Sequence, residues 1–349
     1  MSKFASFINS HEKFSIKSES LPALNDGEML VKNLCTSLCR SDIYTYQGKR
    51  IEKSPTILGH EIVGVISQLG PNAPLYDLRG KEFKIGDKIT WAIYASSPED
   101  NLSKAGIPQK ARDLFKYGHE EITENNHFHG GLSEHTILRK NTPIIILNPA
   151  VPNEIASLIN CSVATVAGAI RLAGQIKGKS VLIYGAGMLG IIACAMVSKL
   201  GANEVITVDQ NPERLAMSTH FGATKTMLSS DDFSTKVDVS LELSGAVSAM
   251  ENSIKVLDIG GATIWIGAVF KQPPISIDAE YLIRNILTIK GLHNYNNEDF
   301  VNAVNFIESN YDNFEFDKLI KKGFLLDDID AAFEYAVNNN PFRVSIDLT

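Results

Sequence analysis

The sequence predicts an α/β protein of two domains, a barrel-like β domain interrupted by a doubly wound parallel sheet. Three observations carry this. The chain has 349 residues, more than one hydrophobic core usually holds. Up to about residue 155, short strand-like runs are separated by glycine, proline and polar turns, the texture of an all-β domain. Beyond it strands and helices alternate, which builds a parallel sheet.

In chain order, the β runs are "GEMLVKNLCTS", "HEIVGVISQLG", "GDKITWAIYA" and "EHTILRK". Residues 96–126 are polar and aperiodic, and are expected to form an excursion of loops and short helices. "KSVLIYGAG" then reads as a strand ending in glycines. In the next segment Leu189, Ile192, Ala193, Met196, Val197 and Leu200 recur at helical spacing, with Gly201 placed to end the helix. "EVITVD", "VDVSLELSG" and "ATIWIGAV" read as further strands, with "NPERLAMSTHFGA" and "AMENSIKVLDIGG" as helices between them. The tail resumes with helical "EDFVNAVNFIES" and "DIDAAFEYAVNN", then strand-like "FRVSIDL". The expected division is residues 1–158 with 296–349 in the β domain and 159–295 in the inserted domain.

Composition narrows the function. The chain is 44% hydrophobic and 21% charged, with a net charge of −7 from 33 basic and 40 acidic residues. Without a basic stripe, nucleic acid is not expected as a partner. No 18-residue apolar run and no signal-peptide core is read, so no membrane partner and a cytoplasmic location are expected. Four scattered cysteines do not make a disulfide framework.

"VLIYGAGMLG" gives Gly185-x-Gly187-x-x-Gly190 between a strand and a helix. The first glycine permits the turn, the second lets a pyrophosphate approach, and the third allows close helix–strand contact. Met188 and Leu189 complete this cofactor-binding turn. Asp209 ends the next strand, 19 residues after Gly190. A carboxylate there accepts bonds from a ribose 2′-hydroxyl and repels a 2′-phosphate, which favours NAD over NADP. Arg214 tempers this, because a nearby arginine accommodates that phosphate. The bland alternative is a nucleotide-free sheet whose glycines merely make turns.

"PTILGHEIVGVI" is an apolar strand with His60 and Glu61 side by side at its centre. Burying both costs free energy unless something pairs with them. Cys39 in "CTSLCRSD" and Cys161 in "LINCSVAT" could join His60 in a zinc set of two thiolates and one imidazole, leaving a fourth position open. From spacing alone the opposite reading stands equally, since lone cysteines are mostly small buried apolar residues. Cys35 lies four positions before Cys39, roughly 13 Å away on an extended strand, too far for one ion. Cys35 and Cys194 read as packing. His119, His127, His129 and His135 lack thiolate partners and read as surface or hydrogen-bonding residues.

"CRSD", "GHEIVGVI", "GDKITW", "GGLSEH" and "YGAGMLG" occur in the order seen in the zinc-dependent medium-chain alcohol dehydrogenases, which the chain resembles over nearly its whole length. "YQGKR", "IPQKARDLFKYGHE" and "NCSVATVAGAIRLAG" resemble, more narrowly, alcohol dehydrogenases associated with phosphonate catabolism. The resemblance implies a GroES-like catalytic domain with an inserted Rossmann domain. It implies catalytic zinc on Cys39, His60 and Cys161, with Glu61 a fourth ligand or close behind the metal. Asp42 would orient His60, Ser41 would pass the alcohol proton outward, and Arg40 would face the NAD pyrophosphate. The segment "ATIWIGAVFKQPPISI" resembles the region where relatives pair their sheets, so a homodimer is expected.

Two departures stand out. Relatives often carry a structural zinc on four cysteines in the excursion, and those positions fall here on Ser97, Asp100, Ser103 and Ala111. One zinc per chain is therefore expected. Tyr44 stands where many relatives have a histidine that finishes a proton relay, and a phenol relays poorly at neutral pH. The function expected is hydride transfer between a small alcohol and NAD. Lys49, Arg50, Lys116 and His119 are candidates to hold an anionic headgroup if the substrate bears a phosphonate. The alternatives are a polyol or other secondary-alcohol dehydrogenase, a zinc-free quinone or enoyl reductase, and a non-catalytic NAD-binding protein.

Overall fold

The region of alternating strands and helices becomes a six-stranded parallel sheet in the computed structural model, which describes residues 1–124, 126–231 and 235–349. Its order is Lys225–Leu228, Glu204–Asp209, Ser180–Tyr184, Val237–Glu242, Leu257–Trp265 and Thr288–Gly291. Val181, Leu182, Ile183, Val239 and Leu241 are fully buried, as expected of strands with helices against the sheet. Helix Met188–Lys199 is apolar all round and buried from Gly190 to Val197, so it lies inside this unit instead of on its surface. It stops before Gly201, whose φ of +80° no β-carbon would favour.

The β runs assemble around strand Met29–Leu38. It pairs antiparallel with Glu61–Leu69, with Arg343–Asp347 and with His135–Leu138. Lys88–Trp91, Ile144–Ile146 and Ile320–Leu325 complete a seven-stranded sheet. One apolar cluster gathers Phe4, Leu58, Phe128, Phe333 and Ile346, and another Ile62, Trp91, Tyr117 and Leu138. Alternation along the strands supplies the two faces. The C-terminal strand thus enters the same sheet as residues read some 300 positions earlier.

Two units result, residues 1–161 with 296–311 and 316–349, and residues 162–295 with 312–315. The division falls three residues later than the sequence suggested. The Asn160 side chain donates to the carbonyls of His60 and Trp91 at 2.9 and 2.8 Å, which ties this turn to the β unit. Residues 312–315 join the other unit, where Phe314 stacks on Phe221 at 5.6 Å and Glu315 pairs with His220 at 2.8 Å.

One expectation needs correction. Asn153–Ala173 is long and apolar enough to cross a membrane by length and composition, but 83% of that window is buried within the protein. Isolated polar residues such as Asn160 interrupt its apolar run.

The polar excursion contains helix Asn101–Lys104, a 3₁₀ turn Pro108–Lys110 and the paired strands Tyr94–Ala95 and Phe115–Lys116. Its cross-link is a carboxylate. Asp100 accepts from Leu102 N–H at 2.8 Å and from Arg112 N–H at 3.4 Å, while Asp113 accepts from Ser97 N–H at 3.0 Å. Ser103 and Ala111 offer no ligand of their own to a metal.

Candidate metal centre and nucleotide turn

Three local structures bring the ligand candidates together. Cys39 caps helix Arg40–Tyr46, and Asp42, in the helix's first turn, accepts from Cys39 N–H at 2.8 Å, a reciprocal cap that fixes where the thiol points. His60 immediately precedes strand Glu61–Leu69. Cys161 lies in a π-helical turn, Ile159–Val163, held by Asn160, whose Oδ1 also accepts from Ile62 N–H at 3.3 Å.

The Cys39 and Cys161 sulfurs are 4.0 Å apart, Cys161 Sγ is 3.5 Å from His60 Nε2, and all three atoms lie within 4.8 Å of one another. Tetrahedral zinc with ordinary bond lengths sets its sulfur and nitrogen ligands about 3.5–3.8 Å apart, so these residues fit the ion. Among the described residues no other such group of three occurs. His60 is buried, and its Nδ1 makes no hydrogen bond but faces Asp42 Oδ1 at 3.6 Å. A carboxylate behind an imidazole in this way favours the tautomer whose Nε2 lone pair points at the metal.

The electrostatics split the set into one ionised thiol and two groups that keep their protons. The Cys39 thiol is held well below its ordinary value, chiefly by the hydrogen bond with Cys161, with burial opposing and Arg343 and His60 assisting. Cys161 is pushed up by the same bond, by burial and by the Cys39 charge. Burial works against a charged His60, but Asp42 and Cys39 outweigh it and hold it at about 9.

Glu61 is fully buried and is not part of the close trio. Arg343 engages both its oxygens, Nε to Oε2 at 2.8 Å and Nη2 to Oε1 at 2.9 Å, and sends Nη2 toward Cys39 Sγ at 3.8 Å. The sequence reading missed Arg343. The only signal was a charge in the apolar strand "FRVSIDL", the same kind of fault that exposed His60.

Other residues gather at the centre's margin. His119 lies with its ring 5.0 Å from that of His60, and its Nδ1 is 2.8 Å from Glu52 Oε2, which Arg50 also holds at 3.0 Å. Burial lowers His119 to about 4. Lys116 is depressed to about 8 by burial and by the nearby charges of Lys110 and Arg50. The other sequence-adjacent histidines do not converge here. His127 pairs with Glu19 at 3.1 Å, His135 with the Ser2 hydroxyl at 2.9 Å, and His129 is buried. Ser41 and Tyr44 are half-buried, and the Tyr44 ring has Arg40 and Lys49 at 5.7 and 5.5 Å. Cys35 is buried, as is Cys194, which contacts the Thr207 hydroxyl at 3.1 Å.

In the other unit, the glycine turn opens at the end of strand Ser180–Tyr184. Gly185 has φ of +97°, and a β-carbon on Gly190 would lie 1.8 Å from the Gly185 carbonyl oxygen. No other residue fits there. Asp209 braces the turn by accepting from Ala186 N–H at 2.7 Å and from Asn211 N–H at 2.9 Å. Met188 and Leu189 begin the helix, and Arg214 reaches within 3.6 Å of where a Gly187 β-carbon would sit. A cavity lined by Gln210, Asn211, Pro212 and Glu213 adjoins Asp209 in sequence.

A sulfur–nitrogen metal set on a β unit and a glycine turn opening a parallel sheet define a zinc-type nucleotide-dependent dehydrogenase. Residues 25–148 match the alcohol dehydrogenase GroES-like domain, and residues 189–309 match the zinc-binding dehydrogenase domain. The chain is 30% identical to alcohol dehydrogenase-like 2 of Arabidopsis thaliana over 74% of its own length and 73% of the relative's. It is 24% identical to L-threonine 3-dehydrogenase of Protochlamydia amoebophila, covering 94% and 95% of the two chains. The crystal structure of an alcohol dehydrogenase from Thermotoga maritima superposes with a TM-score of 0.92 at 25% identity, covering 99% of both chains. The chain belongs to the zinc-dependent medium-chain alcohol dehydrogenase superfamily, and it is an alcohol or polyol dehydrogenase that uses zinc and a nicotinamide cofactor.

Proposed function

We propose that the protein oxidises a small alcohol, or reduces the matching aldehyde or ketone, with NAD and one zinc per chain held by Cys39, His60 and Cys161. The observation that carries this is the sulfur–sulfur–nitrogen trio within 4.8 Å. When bound, zinc supplies Lewis acidity toward the alcohol oxygen and NAD accepts the hydride. The chain's own residues do the rest. Ser41 Oγ takes the alcohol proton by hydrogen bond and passes it to water. Asp42 holds the His60 tautomer, and Arg343 neutralises Glu61 so that Glu61 stands behind the metal. Backbone N–H groups from Gly187 to Gly190 receive the diphosphate, and Asp209 accepts from the ribose hydroxyls.

The substrate reading adds an anionic substituent of the phosphonate kind. Arg50 and Lys116, at the metal's margin, support it. Replacing Arg50 or Lys116 by alanine is expected to raise KM for a phosphonate-bearing alcohol far more than for ethanol, and equal effects would remove this refinement. A polyol is the second reading, favoured by a 26% identical relative named D-xylulose reductase A from Aspergillus niger. A homodimer belongs to the proposal too. The edge strand Thr288–Gly291 and the exposed Ile259, Ile283 and Ile286 support it. So does a cytoplasmic location. The deciding experiment measures zinc per chain together with NAD and NADP binding and turnover on an alcohol panel. One zinc, preference for NAD and alcohol turnover are expected. A metal-free protein that still turns over would overturn the reading.

A further inference from the structure

A buried carboxylate, on the opposite side of the glycine turn from the half-buried Asp209, has no role in the reading above. Glu242 ends strand Val237–Glu242 and lies in register between Tyr184 and Trp265. It is fully buried, a costly place for a carboxyl unless its oxygens are used. Oε1 accepts three bonds, from Ser244 N–H at 2.8 Å, Ser244 Oγ–H at 2.6 Å and Gly245 N–H at 2.8 Å. Oε2 is buried without a hydrogen-bond partner. The Glu242 backbone carbonyl meanwhile accepts from Ile266 N–H at 2.9 Å and Gly267 N–H at 3.1 Å.

These bonds gather three backbone segments with no slack between them. A β-carbon on Gly185 would lie 3.0 Å from Ser244 N, one on Gly245 would lie 2.6 Å from the Gly267 oxygen, and one on Gly267 would lie 2.1 Å from Gly245 N. All three segments follow carboxyl ends of adjacent parallel strands, where such sheets bind nucleotides. A shift of the 244–245 loop therefore moves the first glycine of the turn. We propose that Glu242 is a positioning residue for the dinucleotide, seating the 244–245 loop so that the Gly185 turn keeps the shape that receives the phosphates. This rests on the reading that the turn binds a dinucleotide. Burial pushes the Glu242 carboxyl up, with the Ser244 and Gly245 donors pulling it down. An uncharged acceptor of the same length should therefore serve.

The test titrates zinc-loaded full-length protein with NADH and NADPH, following nicotinamide fluorescence, for wild type, Glu242→Gln, Glu242→Ala and Ser244→Ala. Glu242→Ala is expected to weaken the preferred nucleotide about tenfold, a fraction of the three lost bonds. Glu242→Gln should restore it to within about threefold. Steady-state kinetics should show KM for the nucleotide rising while KM for the alcohol and zinc per chain stay put. Should Glu242→Ala not fold, Ser244→Ala, which removes one bond to Glu242 along with the bond Ser244 Oγ accepts from Ala246 N–H, still predicts a loss of about threefold. Wild-type affinity in Glu242→Ala, equal losses in the alanine and glutamine variants, or wild-type affinity in Ser244→Ala would overturn the proposal. So would a parallel rise in both KM values. Failure of the wild type to bind either nucleotide would overturn the reading of the turn along with it.

Discussion

Replacing Arg343 by methionine removes the cation and leaves its partner behind. Glu61 is fully buried, Arg343 is only 7% exposed, and two charge-assisted bonds of 2.8 and 2.9 Å join them. Removing one partner of such a pair typically costs about 3–5 kcal/mol, because the remaining charge stays buried and unpaired. The Cys39 sulfur, 3.8 Å from Arg343 Nη2, loses the same donor. The double variant Arg343→Met with Glu61→Gln removes both charges and should lose much less, about 1–2 kcal/mol. The assay is urea unfolding of zinc-loaded protein in a Trp265→Phe background, so that Trp91, in the β unit's own core, is the sole tryptophan reporter. A coupling energy of at least about 2 kcal/mol is expected. If Arg343→Met costs less than about 1 kcal/mol, or the double variant costs the sum of the singles, the pairing argument fails.

Lys116 has a folded value near 8 against an ordinary 10.5. Between those values the unfolded chain holds a proton that the folded chain has released, so stability rises with pH across that window and the full penalty is present below it. Lys116→Met should therefore be more stable than wild type at neutral pH, with the gain shrinking toward pH 10, and a gain independent of pH would refute the assignment. Asp100→Ala removes the carboxylate that joins residues 102 and 112 and should cost about 0.5–2 kcal/mol, with faster amide hydrogen exchange confined to the excursion. Exchange unchanged there would show that the lobe holds by packing alone. Zinc affinity should climb with pH, because at neutral pH His60, held at about 9, and the raised Cys161 thiol both carry protons that the ion displaces. Chelator competition should report about two protons released per zinc, and a flat profile would refute it.

What the sequence disclosed depended on whether a residue's role was local. Strands such as "KSVLIYGAG" and the glycine turn were legible because one run of a dozen residues contains both the apolar strand and the steric demand for Gly185 and Gly190. His60 was legible for the opposite reason, as a polar fault in an apolar run. Arg343 carries the same mark, yet its partner lies 282 positions away, and nothing in "FRVSIDL" says which strand it will join. Glu242 was invisible because it ends a strand normally, and its side-chain bonds go to Ser244 and Gly245 in a loop whose shape depends on Gly185 and Gly267. The helical run 153–173 went unnoticed for its scattered polar residues. One of these, Asn160, proves to be the anchor of the Cys161 turn.

The metal centre joins these non-local roles into one balance of charge. With both thiols ionised and a divalent ion present, the ion offsets the two sulfurs and Arg343 offsets Glu61. Asp42 is left as the one uncompensated carboxylate. It lies behind His60 at 3.6 Å and is itself raised by burial, with the His60 charge pulling it down and Cys39 pushing it up. Two backbone bonds help to compensate it. Cys39 N–H donates at 2.8 Å and Gly59 N–H at 3.3 Å. The same carboxylate that starts the helix bearing Arg40 and Ser41 therefore also sets the imidazole that faces the ion. A change at Asp42 acts on helix, ligand and proton path together, which explains why the helix opens on Cys39 and why no shorter polar residue at position 42 would reach both groups.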